Sequence, residues 1–386
     1  MRINRAAHKG KCKRIFKSAE RKIRGAISGG TLPQVPEILE KNRILQNDHF
    51  KKQQRIRARE KDMRIKITGT GSYLPKRRVT NEEISQIVDT SDEWIRTRTG
   101  ICARHLAVEE TTTGMAEEAA LRAIQKAGIK AEELDLIIAA TLSADQILPG
   151  LACEVQSRIK ATHATAFDLN AACSGFLFAL DTAVMYIEQG VYRNALVIGA
   201  EMLSKMMDWT DRGTCVLFGD GAGAVVISAS DTEGVLAMVQ GSDGSRGEVL
   251  SCRGRSAANP FLDKRKALQE QSYVSMNGQE VYKFAVKTVP EAIQEAVRKA
   301  GLSVEEIDLF LLHQANYRII ESVAKRLGQP MEKFPTNLQE CGNISAASVP
   351  ILLDNVCNHG MITTGMKIVL AGFGAGLTWG ATVIEW

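Results

Sequence analysis

The strongest constraint on the fold is an internal duplication. Residues 123–138, which read AIQKAGIKAEELDLII, return 173 positions later at 296–311 as AVRKAGLSVEEIDLFL. Each copy has the pattern of a helix end, a terminating glycine, a short acidic turn and a buried strand. Two further pairs of segments keep the same order, namely 195–199 with 368–372 and 223–227 with 380–384. The chain therefore contains two copies of one structural unit.

The duplicated unit predicts an α/β fold. In both copies, strands of continuous apolar residues alternate with helical segments, a pattern that favours parallel or mixed sheets covered on both faces. No linker rich in proline, glycine and serine separates the copies, so we expect two similar sheets packed together with helices shared at the centre. We place the halves at 63–235 and 236–386, and we expect the active site where they meet.

Charge separates a third region from these two halves. Residues 1–62 contain 18 Lys and Arg against 6 Asp and Glu, a net charge of +12, whereas residues 63–386 carry a net charge of −7. We interpret 1–62 as a disordered extension or as sequence upstream of the native start. A transit peptide and an RNA-binding tail are the alternatives.

Composition also argues against several classes of site and partner. No run of about 18 apolar residues and no secretory signal pattern is present, which predicts no membrane partner and a cytoplasmic location. The eight cysteines and six histidines show no metal-ligand spacing. We therefore expect neither a zinc site nor a disulfide framework.

Cys173 is the candidate nucleophile. It follows the apolar run 165–169 at a turn of small residues, and it precedes a predicted helix with one apolar face formed by Phe176, Leu177, Leu180, Val184 and Ile187. The N-terminus of a helix carries partial positive charge, so we expect it to favour the thiolate that a cysteine nucleophile needs. A buried structural cysteine is the alternative, and the residues alone do not decide between the two.

Two polar residues are expected near Cys173. His313 ends the duplicated strand, at the edge where α/β proteins bind ligands. Asn343 lies 173 positions after Asn170, so it belongs to the second copy of the Cys173 turn. If the two turns face each other across a pseudo-twofold axis, Cys173, His313 and Asn343 meet. The alternatives are a core or surface histidine and a turn-forming asparagine.

Two segments, 219–224 and 371–376, are rich in glycine. Neither fits a dinucleotide or ATP motif. We expect them to permit close backbone packing, and the second to offer an N–H group to an oxyanion.

Five sequence blocks resemble β-ketoacyl-ACP synthase III, the condensing enzyme that initiates type II fatty acid synthesis with acyl carrier protein (ACP). In chain order they are TSDEWIRTRTGI from Thr90, AACSGF from Ala171, TDRGT from Thr210, HQANYRII from His313 and GNISAAS from Gly342. The resemblance spans residues 63–386. It implies a thiolase-like fold, with two duplicated βαβαβαββ halves in a five-layered α-β-α-β-α core, and a homodimer.

The resemblance also implies roles for individual residues. Cys173 would be the nucleophile, and His313 and Asn343 the pair that assists decarboxylation. Binding of coenzyme A (CoA) is implied for Trp94, Arg98, Arg212 and Asn316. Docking of ACP is implied for Gln314, Ala315, Asn316, Tyr317 and Arg318. The backbone N–H groups of Cys173 and Ala375 would form an oxyanion hole.

The implied reaction is a decarboxylative condensation in ping-pong order. The Cys173 thiolate takes the acyl group from acyl-CoA, with acetyl-CoA as the expected starter, and CoA leaves. Malonyl-ACP then enters, His313 and Asn343 stabilise the enolate formed by loss of CO2, and a 3-oxoacyl-ACP is released. We expect no cofactor and no metal, since the CoA thioester is a substrate. A nucleic-acid partner is not expected.

The chain departs from the family pattern at two positions. Ala375 stands where the family often has glycine, and Leu148 stands where many members place a phenylalanine that reaches the partner subunit's acyl pocket. The second departure leaves the starter length open.

The alternative functions are a related acyltransferase or secondary-metabolite ketosynthase, and a nucleic-acid-associated protein acting through 1–62. The presence of both His313 and Asn343 argues against simple acyl transfer, which forms no enolate.

Overall fold

The computed structural model describes residues 64–232, 234–254 and 273–386. All of these residues belong to one compact unit, Asp62–Trp386. The predictions for 1–62 concern residues outside the described ranges.

The first half begins with a long strand. Its strands are β1 (Arg64–Tyr73), β2 (Arg78–Thr80), β3 (Ala103–His105), β4 (Leu136–Ala140), β5 (Thr165–Leu169), β6 (Asn194–Met202) and β7 (Asp220–Ser230). Its helices are α1 (Asn81–Ile84), α2 (Asp92–Thr99), α3 (Thr112–Ala127), α4 (Leu151–Ile159) and α5 (Gly175–Glu188). Among the strands of the described ranges, β2 and β3 pair only with each other. The other five strands form one mixed sheet in the order β1-β7-β6-β4-β5.

The second half repeats most of this plan. Its strands are β8 (Gly234–Ser242), β9 (Leu250–Ser251), β10 (Ser275–Met276), β11 (Leu309–Leu312), β12 (Lys367–Gly374) and β13 (Thr378–Glu385). Its helices are α6 (Gly278–Lys299), α7 (Tyr317–Leu327), α8 (Leu338–Cys341) and α9 (Ser348–Asn358). The main sheet has the order β11-β12-β13-β8, and β9 pairs with β10.

The duplication is visible in the strand pairing. β11 is parallel to β12, which is antiparallel to β13, which is antiparallel to β8. The same relations join β4, β6, β7 and β1 in the first sheet. The mixed sheets predicted from the repeat are therefore confirmed.

The two halves differ where β5 would be repeated. A shift of 173 places the counterpart of β5 at 338–342, but Leu338–Cys341 forms helix α8. Leu, Gln and Glu favour a helical turn, whereas Thr165 and Phe167 of β5 favour a strand. Within the described residues, the second main sheet therefore has four strands.

The boundary between the halves also differs from the prediction. Strand β8 of the second sheet begins at Gly234, so residues 234–235 lie in this sheet although we assigned them to the first half.

Alternating strand residues divide the interior into three apolar layers. In β4, Leu136 and Ile138 face the central layer, while Ile137 packs against the outer helices α3 and α4. In β11, Leu311 faces the central layer and Phe310 packs against α6 and α7. Helices α5 and α9 occupy the central layer and contact strands of both sheets. This arrangement confirms the predicted five-layered α-β-α-β-α core.

Helix α5 is buried because it lies between two sheets. All five residues of its predicted apolar face are buried, namely Phe176, Leu177, Leu180, Val184 and Ile187. None of the helices in the described ranges has the length and apolar character of a membrane span. The N-termini of the two central helices lie beside the turns that carry the candidate site.

Candidate active site

Each copy of the predicted turn contains the same internal hydrogen bond. Asn170 Oδ1 accepts from the backbone N–H of Ala172 at 3.1 Å, and Asn343 Oδ1 accepts from the N–H of Ser345 at 2.9 Å. Ala172 has φ +47° and Ser345 has φ +42°, values that residues with a Cβ atom rarely adopt. Each turn leads into a central helix. Asn343 therefore lies in the duplicate of the Cys173 turn, as predicted.

Cys173 lies in the first of these turns, between β5 and α5, and only 8% of it is exposed. Gly374 at the end of β12 abuts its backbone, because a Cβ atom at Gly374 would lie 2.6 Å from Cys173 N. Thr378 Oγ1 donates to Ala375 O at 2.9 Å and accepts from Ser174 Oγ at 2.7 Å. These contacts confirm that the second glycine-rich segment permits close packing, here against the nucleophile's turn.

The protonation state of Cys173 differs from the prediction. Burial raises the pKa of the thiol to about 12, although the Ser345 hydroxyl acts in the opposite direction. The Glu201 carboxylate raises the pKa further. In the free protein, burial therefore opposes the thiolate that the helix end was expected to favour. The side chain is a thiol at neutral pH and must lose its proton when it attacks.

His313 directly follows β11 and is 2% exposed. Its ring packs edge-on against Phe373 with 5.4 Å between ring centroids. Burial lowers the pKa of the imidazole to about 3, so the ring is neutral near pH 7. Its Nδ1 atom has no hydrogen-bond partner among the described residues. A neutral imidazole carries one N–H group, which makes His313 a hydrogen-bond donor rather than a cation.

Asn343 is held in one orientation by its backbone and its side-chain oxygen. Its N–H donates to Leu217 O at 2.9 Å, and its carbonyl accepts from Gly219 N at 3.0 Å. Because Oδ1 already accepts from the N–H of Ser345, the Nδ2 group remains to donate to a bound molecule. Asn343 therefore presents a fixed amide donor.

One cavity of about 710 Å³ brings most of the predicted residues together. Cys173, His313 and Asn343 line it and are nearly buried, whereas Trp94, Arg98 and Arg212 are more exposed. The guanidinium carbon lies 4.6 Å from the Trp94 ring centroid for Arg98 and 5.2 Å for Arg212. The cavity therefore runs from an aromatic and cationic mouth to a buried thiol. The remaining predicted residues that line it are Ala315, Asn316 and Arg318.

A second cavity of about 330 Å³ also reaches Cys173. Ala375 and Ser345 line it, together with the apolar side chains of Leu142, Leu203, Met206, Phe218 and Leu250. The thiol therefore lies where two cavities meet. Such a position suits a nucleophile that holds an apolar group while a second substrate enters.

The predicted carrier-docking segment is only partly at the surface. Arg318 is exposed, and its guanidinium donates to Thr97 O at 2.7 Å. Asn316 caps helix α7, and its Nδ2 donates to Arg98 O at 3.0 Å. Gln314 is 1% exposed and bonds to Leu312 O and Asn337 N. This burial contradicts a direct carrier contact for Gln314, whose amide instead supports the loop after β11.

The structure adds Glu201 and Ser345 to the site. Glu201 near the end of β6 is completely buried, and burial raises the pKa of its carboxyl to about 7. The signal available in the sequence was a charged residue directly after the apolar run 195–200. Ser345 stands in the second turn where the first turn has Ala172.

Within the described ranges, no group of three or more His, Cys, Asp or Glu residues is placed to hold a metal ion.

Comparisons with known proteins agree with this architecture. Two family models, described as 3-oxoacyl-[acyl-carrier-protein (ACP)] synthase III and as the C-terminal part of that enzyme, match residues 167–244 and 297–386. The chain is 51% identical over 322 residues to beta-ketoacyl-[acyl-carrier-protein] synthase III of Clostridium acetobutylicum, covering 83% of this chain and 98% of the relative. The relative of the same name from Thermosynechococcus vestitus is 50% identical over 326 residues, with the same coverage.

Solved structures show the same similarity. The 3-oxoacyl-[acyl-carrier-protein] synthase III of Aquifex aeolicus superimposes with a TM-score of 0.78 at 47% identity, covering 83% of this chain and all of that one. The priming β-ketosynthase of the R1128 polyketide pathway has a TM-score of 0.78 at 35% identity, covering 83% of this chain and 96% of that one. These matches confirm the thiolase-like fold. By sequence and by structure, the chain belongs to the β-ketoacyl-[acyl-carrier-protein] synthase III family.

Proposed function

We propose that the protein condenses an acyl-CoA starter with malonyl-ACP, releasing CoA and CO2 and forming a 3-oxoacyl-ACP. One observation carries the proposal: a thiol, a neutral imidazole and a fixed amide donor line the same cavity. This set provides a nucleophile and two donors for an anionic oxygen, which are the groups that a decarboxylative condensation needs. The reaction names of the relatives support the same chemistry.

The first half-reaction loads Cys173. The adenine of CoA would lie at the mouth, between Trp94 and Arg212, and its thioester would reach the thiol at the buried end. Sγ attacks the thioester carbon, and the N–H groups of Cys173 and Ala375 donate to the oxygen that becomes negative. The carbon–sulfur bond to CoA then breaks, and the acyl chain occupies the smaller apolar cavity. Acetyl-CoA is the starter that we propose.

The second half-reaction uses the two side-chain donors. The malonyl thioester oxygen would accept hydrogen bonds from the neutral His313 ring and from Asn343 Nδ2. Loss of CO2 places negative charge on that oxygen, so both bonds become stronger in the transition state. The resulting carbanion attacks the acyl-Cys173 thioester and expels the thiolate. The proposed steps use no metal and no redox cofactor, because the CoA thioester is itself a substrate.

Exposed residues support two macromolecular partners, an acyl carrier protein and a second copy of the chain. Arg318, beside the cavity mouth, offers positive charge to an acidic carrier protein. Ile147 and Leu148 are 76% and 82% exposed, and β5 lies at the edge of the first sheet. Exposed apolar side chains beside an open sheet edge support the proposed homodimer. A cytoplasmic location remains a prediction.

The direct test measures CO2 and 3-oxoacyl-ACP after the full chain is mixed with acetyl-CoA and malonyl-ACP. We expect both products in equal amounts, with straight and branched acyl-CoA thioesters then ranked by kcat/KM. Transfer of the acyl group without CO2 release would favour the acyltransferase alternative. A lack of product with every acyl-CoA would contradict the proposal.

A second prediction concerns the cavity mouth. Arg212→Ala should raise the KM for acetyl-CoA about tenfold, because about 1.4 kcal/mol of stacking and cation–π contact with adenine is lost. The reaction with the N-acetylcysteamine thioester, which has no adenine, should not change. Arg96→Ala is the matched control, since Arg96 is an exposed arginine outside the cavity that pairs with Asp92. Equal losses with both thioesters would show that Arg212 does not contact the nucleotide.

A further inference from the structure

Arg104 in β3 is a charged side chain in the protein interior. It is 0% exposed, and burial lowers the pKa of its guanidinium to about 10, so it stays charged near pH 7. Within the described ranges, it pairs with no carboxylate and lines neither cavity that reaches Cys173. A buried cation without an ionic partner is costly to maintain. The proposed reaction steps do not explain why the chain keeps it.

The guanidinium joins two separate parts of the first half. Its Nη2 atom donates to Val216 O at 2.6 Å, in the segment that precedes β7. Its Nη1 atom donates to Asn81 Oδ1 at 2.8 Å, at the start of α1. Asn81 is also completely buried, and its Nδ2 atom donates to Asp92 Oδ1 at 2.9 Å, at the start of α2. Arg104 therefore anchors the segment before β7 to helices α1 and α2.

The anchored segment, residues 216–219, holds the backbone of Asn343. Leu217 O accepts from the N–H of Asn343 at 2.9 Å, and the N–H of Gly219 donates to Asn343 O at 3.0 Å. Val216 directly precedes Leu217, so Arg104 bonds to the carbonyl one residue before the one that holds Asn343. The place of the amide donor in the cavity therefore depends on a segment that Arg104 anchors.

The aliphatic stem of Arg104 packs between the same two pieces of backbone. A Cβ atom at Gly219 would lie 3.3 Å from Arg104 Cβ and 2.4 Å from Cys341 O. A Cβ atom at Gly342, where φ is +66°, would also lie 3.3 Å from Arg104 Cβ. Glycine at both positions allows this close approach. Arg104 thus contacts the end of segment 216–219 and the residue directly before Asn343.

We infer that Arg104 is a positioning residue for the condensation step: it fixes segment 216–219 and so holds the Asn343 amide where the enolate oxygen forms. The inference rests on the proposed function and deepens it. Arg104 touches no substrate in this scheme and acts through Asn343. Arginine suits the task because its planar fork donates to Val216 O and Asn81 Oδ1 at once, whereas lysine has a single charged nitrogen.

Support of the cavity mouth is the competing role. Helix α2 carries Trp94, and Asn81 connects this helix to the guanidinium. If that connection were the important one, loss of Arg104 would raise the KM for acetyl-CoA and slow the acylation of Cys173. Positioning of Asn343 instead requires that the loss fall on decarboxylation at saturating malonyl-ACP. The two roles therefore differ in the half-reaction that they affect.

Arg104→Met and Arg104→Lys test the anchor. Methionine keeps an apolar stem, and it leaves no carboxylate unpaired, so the fold should tolerate the loss of charge. Lysine keeps the charge but not the fork, so it should restore only part of the rate. Asp354→Asn is the matched control. Asp354 is a 3% exposed charged side chain that bonds to side chains of β1 and α3, and it lines neither cavity that reaches Cys173.

The experiment measures both half-reactions separately. CO2 release is followed with saturating malonyl-ACP and no acyl-CoA, and acyl-Cys173 formation from acetyl-CoA is followed by rapid quench and mass spectrometry. Arg104→Met should slow decarboxylation about 10- to 100-fold, because a displacement of about 1 Å has effects of this size. Its acylation should stay close to the wild-type rate. Arg104→Lys should fall between the two, and Asp354→Asn should match the wild type in both assays.

A double-mutant cycle tests whether Arg104 acts through Asn343. The background is Asn343→Ala, since alanine removes the donor without adding a charge near Arg104. In this background, Arg104→Met should cause no further loss of decarboxylation, because the amide that Arg104 positions is absent. A further loss as large as in the wild-type background would overturn the inference.

Two results from the single variants would also overturn it. They are wild-type decarboxylation in Arg104→Met, and a loss of acylation equal to or larger than the loss of decarboxylation. Thermal unfolding shows whether each variant is folded at the assay temperature, and Arg104→Lys carries the same comparison if Arg104→Met is not. Failure of the wild type to release CO2 from malonyl-ACP would instead overturn the proposed function, before the variants are compared.

Discussion

Cys173→Ala is expected to abolish acyl-enzyme formation and to lower condensation by at least about 10³-fold. The methyl group cannot form a covalent bond to the acyl carbon, so the two half-reactions lose their link. Decarboxylation of malonyl-ACP should persist, because His313 and Asn343 remain in the same cavity. Intact-mass analysis after incubation with acetyl-CoA, together with CO2 release, measures both effects.

Cys341→Ala is the matched control for this prediction. Cys341 is also buried, and burial raises the pKa of its thiol to about 12, as it does for Cys173. It lines neither cavity that reaches Cys173. We expect its variant to condense normally. Condensation that survives in Cys173→Ala, or disappears equally in Cys341→Ala, would exclude Cys173 as the covalent nucleophile.

Asn343→Asp is expected to slow decarboxylation by about 10²- to 10³-fold while acyl-Cys173 still forms. Aspartate keeps the oxygen that accepts from the N–H of Ser345, so the turn is retained. It replaces the amide donor by an acceptor, which cannot stabilise the enolate oxygen. Alanine is a less informative substitution, because it also removes the turn's hydrogen bond.

His313→Ala should slow decarboxylation by a similar factor, because it also removes a hydrogen-bond donor to the enolate oxygen. Separate assays of acylation and of CO2 release test both variants. Because the His313 ring is neutral over the working range, its contribution should not depend on pH between about 5 and 8. A loss of acylation equal to the loss of decarboxylation would contradict the division of labour between the two half-reactions.

The sequence was sufficient to predict the architecture because the duplication is well preserved. The shift of 173 residues correctly placed Asn343 in the second turn, and the strand pattern correctly placed His313 at a strand end. Strand β5 has no repeated counterpart among the described residues, because residues 338–341 favour a helix. The helix propensity of these residues therefore determined their secondary structure.

Burial was the quantity that the sequence could not supply. The helix N-terminus suggested a thiolate at Cys173, but the depth of the site raises the thiol pKa instead. Gln314 looked like part of an exposed segment, yet its amide is enclosed by Leu312 and Asn337. Glu201 was overlooked because its complete burial cannot be read from its position after an apolar run.

The two duplicated halves contribute different groups to one active site. At the position of Cys173 the second copy has Ala346, and at the position of His313 the first copy has Ala140. Both copies have the turn asparagine, at 170 and 343, but the nucleophile is present only in the first and the histidine only in the second, so neither half can perform the reaction alone. The turn that carries Cys173 packs against the turn that follows Asn343 and against β12, and these contacts set the distance between the nucleophile and its amide donor. Mutations that let the two turns move apart should inactivate the enzyme before they unfold it.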